Sequence, residues 1–418
     1  MACLLLGPGY AGAEMPVETY SLDRAIKSAI DNNAAIQNAE QDIIIAEQRV
    51  TEAKLRFLPE VGVQASATRY NARFPFALRP RYRSLLLFPS DQDNLFSGQA
   101  YLTLPLYEGR RNINTFRLAQ TSLKQARTKY DTVQLDVVYE TKKVFYHYLL
   151  EQKLLEASEE LARIIEKAGK RPGADPWEKL EAETIAFRFR SQQDEIRHAI
   201  ELAHLDFLKG LNIELDRPVR IEGEFSISPI DVDLRMALVW ATELRPEMQS
   251  QTLRAQMDAI GVNLALSRRY PTLALGVDYE ITGQEFPLRQ NNWAATFGIR
   301  LPFAFDFWSQ HTRKLSEQRQ AEIKRAELKD QVHLEVRKAH RDLLHWQTEW
   351  SKREKEYVRL KRLLDLAKSK IMNRPSAAMR AATGVLAAHK RYLAALTEHL
   401  LSRARLERAV GRSLPGSP

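Results

Sequence analysis

The chain has 418 residues, a single cysteine and a formal net charge of +9 at pH 7. This length supports two or three ordinary domains, and one cysteine excludes a disulfide framework and a cysteine metal cage. Glycine and proline are scarce, at 17 and 18 residues, while charged residues make up 28% of the chain and mix both signs. This balance is typical of long helices with a solvated charged face, rather than of a surface that binds anions.

The first residues resemble the end of an export signal. Ala2–Leu6 is apolar, and Ala11–Ala13 has the small-x-small form of a cleavage site. Because a basic start is missing and the apolar core is short, we interpret residues 1–13 as a partial signal peptide, with a disordered leader as the alternative. No apolar run approaches the ~18 residues that a membrane-spanning helix needs.

The rest of the chain is a duplication. Residues 22–59 recur without a gap as residues 234–271, and the two copies share several small and apolar positions. The identical pairs are Leu22/Leu234, Ala25/Ala237, Ala29/Ala241, Gln37/Gln249, Val50/Val262, Ala53/Ala265 and Pro59/Pro271. We therefore predict two structural repeats, at 14–211 and 234–411, joined by a non-helical linker at 212–233 and followed by a tail at 412–418.

Helical periodicity predicts three helices in each repeat. The predicted bounds are about 22–57, 108–168 and 176–212 in the first repeat and about 234–269, 308–372 and 377–410 in the second. The longest helix of each repeat carries apolar residues at seven-residue spacing, as at Phe116, Leu123 and Tyr130, which indicates a coiled coil. A helix of about 60 residues is roughly 90 Å long, and the Pro/Gly breaks after both long helices predict that each one turns back.

Four segments alternate between apolar and polar residues and are predicted to be strands. They lie at about 60–70, 95–104, 272–282 and 292–301. About ten residues is the length of a tilted strand that crosses a bilayer, but a soluble sheet with one buried face fits the alternation equally well. Four strands cannot close a barrel, and an open sheet edge is not viable in lipid. Either the sheet is soluble or several copies of the chain close it together.

The sequence offers no catalytic constellation. It lacks a Gly-rich phosphate loop, a His-Glu-x-x-His pair and a Gly-x-Ser-x-Gly turn, and its carboxylates follow amphipathic helices. His333, His340 and His345 share one predicted helix, but offsets of seven and five residues do not make the i,i+4 pair of a helical zinc site. We expect a protein that is not an enzyme, with no cofactor and no metal site.

Several short motifs, in their order along the duplication, resemble TolC-type outer membrane efflux proteins. Leu104–Arg111 resembles that family's strand-to-helix signature, and Leu301-Pro302-Phe303 repeats its start. Leu244–Met248 contains the Arg-Pro-Glu-aliphatic motif that opens the second half. Leu208–Leu211 and Ala409–Gly411 resemble the glycine-containing ends of the two return helices. The resemblance covers about 22–411.

The resemblance implies a fold that is mainly α with a small β part. Long antiparallel coiled-coil helices would form a periplasmic tunnel, and four transmembrane strands per chain would close a twelve-stranded barrel in a homotrimer. Pro59, Pro105, Pro271 and Pro302 would mark the crossings between helix and strand. The protein would be the passive exit duct of a tripartite efflux or secretion system in the outer membrane, in contact with outer membrane lipid, a periplasmic adaptor and an inner-membrane transporter, and not with nucleic acid.

The predicted periplasmic tips depart from the acidic tips that this family often has. The second tip carries Lys368, Lys370 and Arg374 without an acid, and the first tip places Asp175 beside Lys170 and Arg171. These residues are our candidates for the pore entrance. Rings of positive charge would repel cations and favour anions, although the same side chains could face solvent or the adaptor.

Two other classes of protein remain as alternatives. A soluble, elongated coiled-coil scaffold with a small sheet would fractionate without detergent. A basic rod that binds nucleic acid would lose affinity steeply as salt rises. Neither alternative explains four strands of bilayer length placed symmetrically between helices that turn back.

Overall fold

The computed structural model describes residues 18–69, 94–169, 175–225, 230–283, 285–302, 307–371 and 375–414. The predicted signal peptide lies outside these ranges, as do residues 74–83, which connect the first two predicted strands and are expected to form an external loop. Within them the elements in chain order are β1 (Glu18–Tyr20), α1 (Leu22–Asn32), α2 (Ala34–Leu55), β2 (Glu60–Arg69), β3 (Asn94–Glu108), α3 (Arg111–Gly169), α4 (Pro176–Leu211), β4 (Val219–Ile221), α5 (Leu234–Leu244), α6 (Pro246–Ser267), β5 (Thr272–Gly283), β6 (Gln290–Arg300), α7 (Phe307–Ile371) and α8 (Pro375–Val410). The chain is thus mainly helical with a small β part.

The first helix of each repeat is broken where the sequence predicts one continuous helix. Asn33 separates α1 from α2, and Arg245, its equivalent in the second repeat, separates α5 from α6. Both residues have extended backbone, with ψ of 123° at Asn33 and 124° at Arg245. The Asn33 side chain accepts a hydrogen bond from Ala35 N at 2.8 Å, and Pro246 begins α6 without needing an N–H partner. The duplication therefore extends to the break itself.

The described residues divide into two compact units. One, the helical unit, comprises residues up to Asp42, Arg127–Gln251 and the chain from Arg325 onward; the other, the sheet unit, comprises Ile43–Ala126 and Thr252–Lys324. Helices α2, α3, α6 and α7 each contribute residues to both units. No helix in the described ranges is both long and apolar enough to cross a membrane.

Helix α8 lies at the centre of the helical unit. It packs against α4 and α5, and between Ala395 and Val410 it is buried on nearly every side. Its charged side chains Arg403 and Glu407 are buried as well, and Lys142 Nζ of α3 lies 2.7 Å from Glu407 Oε2. Because buried charges must be paired, this contact fixes the register of α8 against α3.

Helix α4 is held by a seven-residue repeat that the sequence analysis missed. Ala182, Phe189, Ile196 and Ala203 are all buried. Gly210 continues the series, and a Cβ added there would lie 2.9 Å from Val144 Cγ2 of α3. Three of the five residues in this repeat are small, so a search for large apolar residues alone does not find it.

The seam predicted for α3 is only partly correct. Val137 is buried, but Phe116, Leu123 and Tyr130 are partly exposed. Instead, Asn114, Thr121 and Thr128 are buried at the same seven-residue spacing. Thr121 Oγ1 donates to Arg117 O at 2.9 Å, and such a bond within the helix lets a hydroxyl be buried at little cost.

The predicted non-helical linker contains a short strand. β4 pairs in parallel with β1, with Tyr20 opposite Ile221, and both side chains are buried. Arg217 Nη2 lies 2.6 Å from Glu18 Oε1 beside this pair. Three residues per strand are too few for a periodic pattern, so the sequence does not reveal them. Residues 226–229 of the linker and 415–418 of the tail lie outside the described ranges.

The sheet unit contains a four-stranded antiparallel sheet in the order β2-β3-β5-β6. β2 and β3 come from the first repeat, and β5 and β6 come from the second. The central pairing joins the two repeats, with Leu102 opposite Val277. β3 runs four residues beyond its predicted end at 104, through a register shift between Pro105 and Tyr107. A bulge accommodates the proline, which cannot donate to the ladder.

Candidate functional site

One face of the sheet is apolar across all four strands. The pairing register aligns the rows Val61–Leu102–Val277–Ala295 and Val63–Ala100–Tyr279–Trp293, with Leu104–Leu275–Phe297 beside them. Apart from the partly buried Leu104, these side chains are exposed in the single chain, by 83% at Val63 and 72% at Trp293. An exposed apolar surface of this extent marks an interaction with lipid or with another protein.

The opposite face is polar. Its rows are Gln64–Gln99–Glu280–Asn292, Ser66–Ser97–Thr282–Gln290 and Gly62–Tyr101–Asp278–Ala294. Ser66 Oγ and Ser97 Oγ are hydrogen-bonded at 2.9 Å, and the Tyr101 ring lies against Gly62. The two faces therefore have opposite chemistry, one suited to hydrocarbon and the other to water.

The sheet unit does not bury its own apolar surface. All four buried apolar clusters of the described residues lie in the helical unit. In addition, β2 and β6 each pair along one edge only within the described chain. A sheet with an uncovered apolar face and two open edges needs something else to cover both.

The prolines predicted to mark the helix-strand crossings have different positions. Pro59 and Pro271 directly precede β2 and β5. Pro302 follows the last residue of β6 by two positions, and residues 303–306 beyond it are outside the described chain. Pro105 lies inside β3, and the turn from β3 into α3 occurs at Gly109 and Arg110.

The turn at Gly109 explains the glycine of the Leu104–Arg111 motif. Gly109 has φ of 61°, and Arg110 follows at φ of 64°. A Cβ added to Gly109 would lie 2.6 Å from Ser267 O and 2.8 Å from Tyr270 Cβ, at the end of α6. Glycine is therefore required both by the left-handed backbone and by the close approach of a second crossing.

A second pair of motifs meets in the helical unit. Gly411, at φ of 79°, lies so close to Arg245 that an added Cβ would be 2.9 Å from Arg245 Cα. Arg245 is buried, with Nε 3.0 Å from Glu247 Oε2 and Nη1 2.8 Å from Glu335 Oε2. Burial opposes the charge on Arg245, but these two glutamates outweigh it and raise the Arg245 pKa. The Arg-Pro-Glu motif and the terminal glycine thus form one contact.

The predicted tip residues are only partly described. Lys170, Arg171 and Arg374 lie outside the described ranges. Lys368 and Lys370 belong to the last turn of α7, and Asp175 directly precedes α4, where its side chain makes no capping hydrogen bond. The arrangement of the six candidates is therefore untested, and their role remains a prediction.

Beside this tip, α4 and α8 form an open groove of about 990 Å³. Trp177 and Leu180 line it from α4, and both are exposed. Arg380 of α8 lies in the groove, with Nη1 2.9 Å from Glu181 Oε1 of α4. Sequence reasoning did not identify this groove, because its residues come from helices of different repeats.

The histidines considered as metal ligands make contacts within the protein. His333 Nε2 lies 3.2 Å from Thr242 Oγ1, and His340 Nε2 lies 2.8 Å from Val232 O. Both contacts join α7 to the segment around α5. His345 stacks edge-on against Trp346, with ring centroids 5.1 Å apart.

About a third of the chain is similar in sequence to a known protein family. Residues 25–171 match the family model for outer membrane efflux proteins. No curated protein sequence matches the chain.

Solved structures share the fold at low sequence identity. The CmeC outer membrane channel of Campylobacter jejuni has a TM-score of 0.77 at 16% identity, covering 93% of this chain and 85% of that one. The MtrE outer membrane channel of Neisseria gonorrhoeae, in an open state, has a TM-score of 0.76 at 13% identity, with coverages of 94% and 89%. The outer membrane protein VceC of Vibrio cholerae has a TM-score of 0.74 at 15% identity, with coverages of 94% and 96%. Residues 25–171 thus resemble outer membrane efflux proteins in sequence, and the described chain shares the fold of these three solved outer membrane proteins.

Proposed function

We propose that this chain is one protomer of a passive exit duct in the outer membrane. The observation that carries the proposal is the two-faced sheet, whose apolar face is exposed and whose two edges are open. In this proposal, lipid covers the apolar face and water contacts the polar face. Solutes would leave along the polar face, and no described group is arranged for chemistry on them.

The strand order supports closure by further copies of the same chain. Successive pairs in β2-β3-β5-β6 are antiparallel, so β2 and β6 run in opposite directions. β6 of one protomer can therefore pair in antiparallel fashion with β2 of the next. Three protomers would give a closed barrel of twelve strands, within the range of membrane barrels.

The duct would need partners to supply energy and substrate. We propose that it joins a periplasmic adaptor and an inner-membrane transporter in a tripartite efflux or secretion system. The long helices α3, α4, α7 and α8 would form the periplasmic part of the conduit. The groove between α4 and α8 and the helix ends beside it are the described surface closest to the predicted tips.

Expression of the chain with a complete signal peptide tests this function. We expect the protein in outer membrane fractions, as a trimer that survives detergent extraction and conducts ions in a planar bilayer. Recovery as a detergent-independent soluble protein without conductance would contradict the proposal and support the coiled-coil scaffold.

The basic tips lead to a separate proposal about selectivity. Lys170, Arg171, Lys368, Lys370 and Arg374 would surround the pore entrance, and Asp175 alone among the six candidates would oppose their charge. Three copies would then favour anions over cations at the entrance. Single-channel reversal potentials of the wild type and of Arg374→Asp test this. We expect the variant to shift towards cations, and an unchanged cation preference in both proteins would contradict the proposal.

A further inference from the structure

Arginines are concentrated at the end of the sheet where the strands connect to helices α2, α3 and α6. Arg56 follows α2, Arg110 directly precedes α3, Arg111 begins it, and Arg268 and Arg269 follow α6. All five are exposed. We call this set the arginine belt.

Backbone contacts hold the segments of the belt together. Asn112 Nδ2 donates to Arg56 O at 3.1 Å, which joins the end of α2 to the start of α3. The close approach of Gly109 to Ser267 O and Tyr270 joins the start of α3 to the end of α6. The arginines are therefore fixed at one level by the fold, although they come from both repeats.

Four arginines of the belt form no ion pair within the part of the chain that the structure describes. Among the described residues, Arg56, Arg110, Arg111 and Arg268 have no carboxylate within ion-pair distance. The Arg269 guanidinium lies over the Tyr270 ring, 5.3 Å from its centroid.

The carboxylates at this end of the strands lie on the polar face of the sheet. Glu60 shares a row with Thr103, and Glu108 shares one with Thr272 and Arg300. Both rows alternate with the apolar ones and so lie on the polar face of the sheet. Arg300 is therefore an exposed arginine at the same level but on the polar face.

The belt begins where the apolar surface ends. Leu273 and Ile299 form the last apolar pair of β5 and β6, and Phe57 and Leu58 are exposed next to Arg56. In a bilayer this is the depth at which hydrocarbon gives way to phosphate groups. The guanidinium group suits such a site, because its planar fork donates two hydrogen bonds to a phosphate and keeps its charge.

We propose that the arginine belt binds the phosphate groups of anionic phospholipids in the leaflet at the helical end of the sheet. The proposal rests on insertion of the sheet into the outer membrane, as proposed above. The bound headgroups set the depth of the sheet in the bilayer and neutralise the charges of Arg56, Arg110, Arg111 and Arg268, which have no ion-pair partner among the described residues.

The test compares lipids retained by the full-length protein after reconstitution into vesicles that contain both phosphatidylcholine and phosphatidylglycerol. The belt variant combines Arg56→Gln, Arg110→Asn and Arg268→Gln; asparagine is used at position 110 because it tolerates the left-handed backbone. The matched control is Arg300→Gln, on the polar face. After mild extraction, co-purified lipids are measured by mass spectrometry.

We expect the wild type and Arg300→Gln to retain phosphatidylglycerol above its share in the vesicles. In the belt variant this enrichment should be at least about fivefold lower than in the wild type. Excess inorganic phosphate should leave the enrichment unchanged, and displacement by it would show an anion site that does not need lipid. Equal enrichment in wild type and belt variant, with both inserted, would overturn the lipid proposal alone. Failure of the wild type to insert would overturn the proposed function as well.

Discussion

Gly109 and Gly411 show how single positions join distant segments of the chain. Each has positive φ, and each lies where an added Cβ would meet backbone, of Ser267 and of Arg245 respectively. Both glycines belong to motifs recognised in the sequence. Their partners were not predictable, because the sequence gives the motif and not the segment that approaches it.

Gly109→Ala should destabilise the protein by about 2–4 kcal/mol, since it combines left-handed backbone strain with a clash against Ser267 O. Unfolding in urea after detergent extraction measures the change. Gly261→Ala is the matched control, because no atom lies within 4 Å of its added Cβ and alanine favours the helix. Equal stability of the two variants would refute the role assigned to the Gly109 turn.

His399 is buried and His389 half-buried in the helical unit, and both should make its stability depend on pH. Burial and the charge of Arg403 lower the pKa of His399 to about 4, while burial and Lys361 lower that of His389 to about 4. Both histidines are thus neutral when folded, and they take up protons on unfolding below their ordinary pKa of about 6.5. Stability should therefore be full above pH 6.5 and fall between about pH 6.5 and 4.

The loss should be on the order of 2 kcal/mol for each histidine. Urea unfolding across this pH range measures it. His399→Leu should remove part of the pH dependence, whereas His198→Leu, at an exposed position, should not. A pH profile of His399→Leu identical to that of the wild type would contradict the buried neutral state.

At the scale of elements, the alternation of residues in strands and the spacing of apolar residues in helices were informative where the two faces of an element differ in polarity. The strands predicted at 60–70 and 272–282 correspond to β2 at Glu60–Arg69 and β5 at Thr272–Gly283. The breaks at Asn33 and Arg245 were missed, because apolar spacing continues across a single extended residue. Pro246 was the available signal in the second repeat, and Asn33 gives only a weak one in the first.

Helices packed on several sides were harder to predict. The buried positions of α4 and of the first part of α3 include alanine, threonine and asparagine, which also occur on exposed helix faces. Strand pairing was also not predictable in detail, since alternation gives the face of a residue and not its neighbour. The central pairing of β3 with β5, between repeats, came from the structure.

The two faces of β2 predict opposite responses to the same substitution. Val63→Arg places a charge on the apolar face and should cost about 2–4 kcal/mol if that face meets hydrocarbon. Gln64→Arg, one residue along on the polar face, should have little effect. The yield of detergent-stable trimer in outer membranes measures both. Normal assembly of Val63→Arg would argue against lipid contact at this face.

At the scale of the whole molecule, the two units differ in whether they bury their apolar residues. The helical unit contains all four buried apolar clusters of the described residues, whereas the sheet unit exposes its apolar face. The sequence alone could indicate that the sheet needs further copies or a soluble partner surface. It could not choose between them, because alternation is the same for a soluble sheet and for a membrane sheet.

Cysteine labelling in outer membranes tests most directly whether the apolar face of the sheet meets lipid and the polar face meets water. Cys3, the only cysteine, is replaced by serine, and Val63→Cys and Gln64→Cys are introduced separately. Each protein is treated with a water-soluble maleimide in intact membranes and again after denaturation. We predict that the cysteine at position 64 reacts in membranes, whereas the cysteine at position 63 reacts only after denaturation. Equally rapid reaction of both cysteines in intact membranes would contradict the account.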